Sequence, residues 1–147
     1  MKLSSKGRYG MRAIIDLADY GENNPVSISE IAERQNISAN YLEQLLPGFR
    51  KAGLIRSERG AMGGYQLAKP ASEISVGDIL QASGENMFMA ECVSESEIED
   101  EFESRCEIQD ACAAKFVWKR INDSINDAMN GIMLDELVQI SRNSRKK

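Results

Sequence analysis

Apolar residues return at helical intervals through the first third of the chain and then switch to strand spacing. Tyr9, Ala13, Ile14 and Leu17 line one side of a helix predicted over about residues 6–20, stopping before Gly21. Ser27-Ile28-Ser29-Glu30 is an S-x-x-E capping box, in which serine and glutamate each satisfy an otherwise unpaired backbone N–H. It opens a short helix through about Gln35, after which Asn36-Ile37 supplies a turn and Ser38 caps the next helix. In that helix Leu42, Leu45, Leu46 and Phe49 fall at i, i+3, i+4 and i+7, one buried stripe. Pro47 removes an N–H from its middle, so a kink or break is expected at Pro47-Gly48, leaving residues 38–46 intact. Gly53 suits the left-handed position where a helix stops. Two strand-like pieces, residues 54–57 and 65–67, then flank the turn RGAMGG.

Taken singly, a leucine stripe is ordinary core and a glycine-rich turn an ordinary hairpin. In the order helix, short turn, helix, hairpin they are the layout of a winged helix-turn-helix, which predicts DNA binding. The polar face of the recognition helix carries Asn40, Glu43, Gln44, Arg50 and Lys51, groups that pair with base edges and phosphates. Ser38 and Tyr41 at its start, with Arg59 and Gly60 at the hairpin tip, complete the candidate contact set.

Beyond the hairpin, residues 75–78 are another cap-like start, for a short helix containing Val76, Ile79 and Leu80. Residues 91–107 are rich in Asp and Glu, with Arg105 their only base. A helical pattern returns after Cys112. Trp118, Ile121, Ile125, Ala128 and Ile132 are spaced alternately by three and four, a heptad-like seam expected to pair with a second copy of the chain. The expected fold is mainly α with a small β-hairpin wing: a winged helix-turn-helix domain (1–84), an acidic, cysteine-bearing loop (85–112), and a long dimerisation helix with a C-terminal tail (113–147).

Charge sharpens that division. The net charge is −5, unpromising for a DNA binder, but residues 1–70 carry +3 and residues 71–147 carry −8. Binding depends on the local charge facing phosphates, so the DNA-contacting part is expected in the first half. No apolar run approaches a membrane span and no signal pattern appears, so a cytoplasmic protein without a membrane partner is expected. Enzyme chemistry is disfavoured: the chain has no histidine, no nucleophile elbow, no phosphate loop and no dinucleotide fingerprint.

The segments MKLSSKGRYGMRA, ISEIAERQNIS, YLEQLL, RKAGLI, RG-x-x-GGY and ISVGDIL, in that order, resemble the IscR, NsrR and CymR type of bacterial transcription regulator. The resemblance covers residues 1–80 and resumes after Cys112. It implies a homodimeric winged-helix repressor or activator acting on a pseudo-palindromic double-stranded DNA operator. It places Asn40, Glu43 and Gln44 at DNA-reading positions and Arg59 on the wing arginine that enters the minor groove.

Cys92, Cys106 and Cys112 are the only cysteines and lie within or beside the acidic stretch. Clustered cysteines without a secretory context point to a metal or redox role, and thiolates are the usual iron–sulfur ligands. The resemblance makes these three the ligand candidates for a cluster that senses iron–sulfur, iron or redox status. Because YLEQLL is closest to the IscR type, [2Fe–2S] is favoured over [4Fe–4S]. The spacing from Cys106 to Cys112 matches the family, whereas that from Cys92 to Cys106 is longer. The position of the IscR-type histidine ligand holds Lys115, and the aspartate that NsrR-like members draw from the partner's first helix is replaced by Arg8. Glu91, Glu107 and Asp110 are nearby oxygen donors, and the fourth ligand stays open. Alternatives are a clusterless thiol switch, a metabolite-linked CymR-like repressor, an NsrR-like nitric-oxide sensor, and a zinc-stabilised module, which would want four closed ligands.

Overall fold

The computed structural model describes residues 2–94 and 106–147. Among them run α1 (Ser5–Tyr20), α2 (Ile28–Gln35), α3 (Ala39–Lys51), β1 (Ile55–Glu58), β2 (Gly64–Leu67), α4 (Val76–Ala82), α5 (Ala113–Gly131) and α6 (Leu134–Arg145). The mainly α fold with a β-hairpin wing is therefore as expected.

The caps foreseen in the sequence set the helix starts. Ser27 Oγ accepts from the Glu30 N–H at 3.2 Å while the Glu30 carboxylate accepts from the Ser27 N–H at 2.7 Å. Ser38 Oγ accepts from the Tyr41 N–H at 3.1 Å to open α3, and Ser75 with Asp78 form a second capping box at α4. Asn36 ends α2 at φ 52°, a left-handed conformation that asparagine tolerates.

The break expected at Pro47-Gly48 does not occur: α3 continues through Pro47 to Lys51. Pro47 is exposed, and the carbonyl left without its helical donor belongs to Glu43, itself an exposed residue. Leu46 and Phe49, at 1 and 0% exposure, hold the turn in register against the core. Gly48 fits because a Cβ there would lie 2.6 Å from the Ala82 carbonyl oxygen, so α3 and the end of α4 touch backbone to backbone.

The hairpin pairs Ile55 with Leu67, Arg56 with Gln66, Ser57 with Tyr65 and Glu58 with Gly64. Val26 adds an antiparallel rung on the other edge of β2, through bonds of 2.9 and 2.8 Å to Tyr65. That rung explains Gly64, whose φ is 154° and whose missing Cβ would sit 2.4 Å from the Val26 carbonyl oxygen.

One core joins the elements around α1: Ala13, Ile14 and Leu17 meet Ile31, the α3 stripe, Leu54, Ile55, Ile74 and Ile79. The C-terminal stretch, read from sequence only as a tail, forms α6, which sends Leu134 and Val138 into the same core. Backbone bonds from Leu134 to Ile74 (2.8 Å) and from Val76 to Ile132 (2.9 Å) fasten the α5–α6 junction to the start of α4. No helix among the described residues is long and apolar enough to cross a membrane.

Candidate nucleic-acid interface

Burial of Leu42, Leu45, Leu46 and Phe49 turns the opposite face of α3 outward. Asn40, Glu43, Gln44, Arg50 and Lys51 are all exposed there. Tyr41 is only half-exposed, because its ring packs edge-on against Tyr9 of α1 with centroids 5.7 Å apart. Ser38 is exposed; its oxygen is engaged in the cap, and its hydroxyl proton is able to donate outward. The wing leaves within a turn of this helix, where the Leu54 N–H bonds the Phe49 carbonyl at 3.0 Å.

Along the wing, Arg56 is engaged by Glu58 and Gln66, both at 3.4 Å. Arg59 and Gly60 are exposed at the tip. Among the described residues Arg50, Lys51 and Arg59 have no ion-pair partner, so their charge is available to phosphates. Lys6 was not singled out from sequence. At the start of α1 it lines a depression with Tyr41, Gln44 and Gly48, which adds a cation beside the recognition helix. The only sequence hint was the basic run Lys2, Lys6 and Arg8 ahead of the first apolar stripe.

Two aspartates of α1 hold this unit together from behind. The Asp16 side chain has no exposed surface and binds the Arg34 guanidinium in a fork, Nη2 to Oδ1 at 2.7 Å and Nε to Oδ2 at 3.0 Å. Gln35 Nε2 adds a bond of 2.9 Å, so both residues at the end of α2 are seated by one carboxylate. Asp19 receives Arg142 Nε at 2.8 Å and also Arg145, which anchors α6. Burial pushes the Asp19 carboxyl up, but hydrogen bonds and charge from Arg145 and Arg142 outweigh it and hold the group below its ordinary value. The Tyr20 ring lies between Arg34 and Arg145, at 4.0 and 5.0 Å.

Two of the three cysteines are placed by contact with α5. Cys92 is half-buried in a short 3-10 turn (Glu91–Val93) that packs on α5. The preceding strand of chain is pinned there by the buried Asn122, whose Oδ1 accepts from the Met89 N–H at 3.0 Å. Cys112 is the N-cap residue of α5 and half-buried, and Cys106 is exposed. Among the described residues no three His, Cys, Asp or Glu side chains gather closely enough to hold a metal ion. Three thiols match the donor type an iron–sulfur cluster takes and leave one position to another group. Lys115 occupies the first turn of α5, while Glu91, Glu107 and Asp110 are exposed. Residues 95–105, most of the acidic insert, lie outside the described residues.

Along α5 only Asn122 and Met129 are buried. Trp118 and Ile121 keep 39 and 37% exposure, and Ile132, just past the helix end, keeps 40%. Ile121, Ile125 and Ala128 line one shallow apolar depression. The seam thus stands mostly outside the core of its own chain.

The chain matches the Rrf2 family of iron-dependent transcriptional regulators over residues 3–140. The regulator IscR of Pectobacterium carotovorum is 41% identical over 138 residues, spanning 94% of this chain and 79% of that protein. The structure of T. potens IscR is similar at a TM-score of 0.73 and 35% identity, covering 98% of this chain and 90% of that one. CymR of B. subtilis, the global cysteine regulator, gives a TM-score of 0.75 at 33% identity, covering 95 and 98%. With its winged-helix frame, this chain belongs to the Rrf2 family and is an IscR-like transcription regulator rather than an enzyme.

Proposed function

We propose that the protein is a homodimeric DNA-binding regulator that reads a pseudo-palindromic operator through α3 and the wing, and whose DNA affinity is set by an iron–sulfur cluster on Cys92, Cys106 and Cys112. The observation that carries the DNA half is the outward set Asn40, Glu43, Gln44, Arg50 and Lys51, flanked by Lys6 and by an unpaired Arg59 at the wing tip. Gln44 is able to pair bidentately with adenine, Glu43 accepts from the cytosine amino group, and Arg50 and Lys51 meet phosphates. Arg59 enters a minor groove, whose negative potential favours it. Two such units, joined along the α5 seam, face successive turns of the duplex.

The sensing half rests on where the thiols sit. Cys112 begins the same helix that carries the seam, and the turn holding Cys92 packs on it, so a group bound there bears directly on the spacing of the two DNA-binding halves. Bound iron–sulfur would supply positive charge to an acidic, thiolate-bearing segment and a redox-sensitive tie. An effector shifts DNA affinity only through such a difference between states. With three thiols and no histidine, the fourth ligand is left open, Glu91, Glu107 and Asp110 being the nearby oxygen donors, and [2Fe–2S] is the preferred type. The second reading is a thiol switch without a cluster, favoured by the exposure of Cys106 and the partial exposure of Cys92 and Cys112, which leave the thiols open to oxidants.

Selection of duplexes from a randomised library, followed by anisotropy titrations, tests the DNA half. Arg59→Ala should weaken binding strongly with its melting temperature unchanged, and Glu43→Ala should broaden sequence preference. Normal binding by Arg59→Ala, or an unaltered preference in Glu43→Ala, would contradict these assignments.

A further inference from the structure

The wing tip carries a second feature besides its arginine. In the stretch Arg59-Gly60-Ala61-Met62-Gly63-Gly64, only Arg59 and Met62 have side chains longer than a methyl group. Met62 is 85% exposed, more than any other large hydrophobic residue described. The turn that presents it is tight: the Gly63 N–H bonds the Gly60 carbonyl at 3.0 Å, and Gly60 holds φ at 113°. A Cβ on Gly63 would stand 2.4 Å from the Glu58 carbonyl oxygen, so the turn beside Met62 is closed tightly enough to require glycine there. The tip thus presents two long side chains, one cationic and one apolar, between residues that carry at most a methyl group.

We infer that Met62 is a specificity-determining DNA contact, entering the minor groove beside Arg59 and selecting A·T over G·C pairs beneath it. This rests on the proposed reading of the wing as a minor-groove element. The groove walls are sugar edges that accept a thioether chain by van der Waals contact, and methionine adapts to an irregular surface. The floor differs between base pairs: G·C adds the guanine N2 amino donor, while A·T offers only acceptors. An apolar side chain over guanine N2 strips that donor of water and returns no hydrogen bond, which disfavours G·C at the covered step. Arg59 draws on the negative potential of the groove, whereas Met62 draws on shape and dryness, so the two act on different terms.

The probe is a 30-base-pair duplex selected by the wild-type chain from a randomised library, with variants in which single A·T pairs under the wing become G·C. Met62→Ala should weaken binding to the selected duplex about fivefold per wing, on the order of 25-fold for two wings. The dependence of log affinity on log salt should stay unchanged, because no charge is lost. The penalty for G·C under the wing should largely disappear in Met62→Ala and persist in Met62→Leu. Arg59→Ala should instead flatten the salt dependence by about one unit per wing. If Met62→Ala binds as wild type and keeps the full G·C penalty while Arg59→Ala shows its loss, the inference about Met62 is wrong and the wing reading stands. If Arg59→Ala also leaves affinity and salt dependence untouched, or the wild type selects no duplex, the wing reading itself fails and takes this inference with it.

Discussion

Replacing Asp16 by asparagine removes one charge and almost no volume from the seat of α2. The carboxylate is fully buried and receives Nε and Nη2 of Arg34 and Nε2 of Gln35, at 2.7 to 3.2 Å. Removing one partner of a buried ion pair typically costs about 3–5 kcal/mol, because the remaining charge is left without compensation. Here the Arg34 side chain retains 27% exposure and its guanidinium lies over the Tyr20 ring at 4.0 Å, so water and the aromatic face recover part of the loss. The expected destabilisation is therefore at the lower end, about 2–3 kcal/mol, or a fall in Tm of about 5–10 °C for a chain of this size. Urea unfolding followed by circular dichroism, at fixed protomer concentration, measures it. The cycle completed by Arg34→Met separates the pair from simple loss of packing. The double variant should be less destabilised than the sum of the singles by about 1–2 kcal/mol. An Asp16→Asn variant within about 0.5 kcal/mol of wild type, or strictly additive singles, would refute the assignment of Asp16 as the anchor of α2.

The Asp19 carboxyl is held below its ordinary value, so its ties to Arg142 and Arg145 contribute stability that is complete above the unfolded value and lost as pH falls through the folded one. The stability gap between wild type and Asp19→Asn should accordingly be constant above about pH 5 and close as pH drops below about 4, and a gap that widens in acid would contradict this. Glu30, held low first by the Ser27 backbone N–H, loses its capping contribution in the same direction. Changing Ile121 and Ile125 together to glutamate should give monomers in sedimentation velocity, or an unfolded chain if folding requires the dimer; an intact dimer would place the interface elsewhere than the α5 seam.

Much of the fold was legible because its signals are local. The serine caps at Ser27, Ser38 and Ser75, the stripe of α3 and the turn glycines Gly60 and Gly63 are each signalled within a few residues, and each appears in place. What sequence missed depends on partners far along the chain. Asp16 reads as a surface charge on α1 until Arg34 and Gln35 are brought beside it, and Asp19 until α6 delivers Arg142 and Arg145. The C-terminal helix was passed over because its apolar contribution to the core is only Leu134 and Val138 amid charged neighbours. Pro47 misled in the other direction: its propensity is real, but packing on both sides of an exposed lost bond overrides it. The contact of Tyr41 with Tyr9 of α1 was likewise not legible, because the two rings meet only once α1 and α3 pack together.

The most direct measurement is iron and acid-labile sulfide in anaerobically reconstituted protein, with the visible spectrum and the affinity for the selected duplex taken on the same sample before and after chelation. A cluster-sensing regulator should show iron and sulfide in equal amounts. Its chromophore should disappear in Cys92→Ala, Cys106→Ala and Cys112→Ala while fold and dimer persist, and its DNA affinity or selectivity should differ between loaded and stripped forms. A wild-type protein that stays colourless after reconstitution, or binds the duplex identically in both forms, would contradict cluster sensing and leave the thiol switch as the reading to pursue.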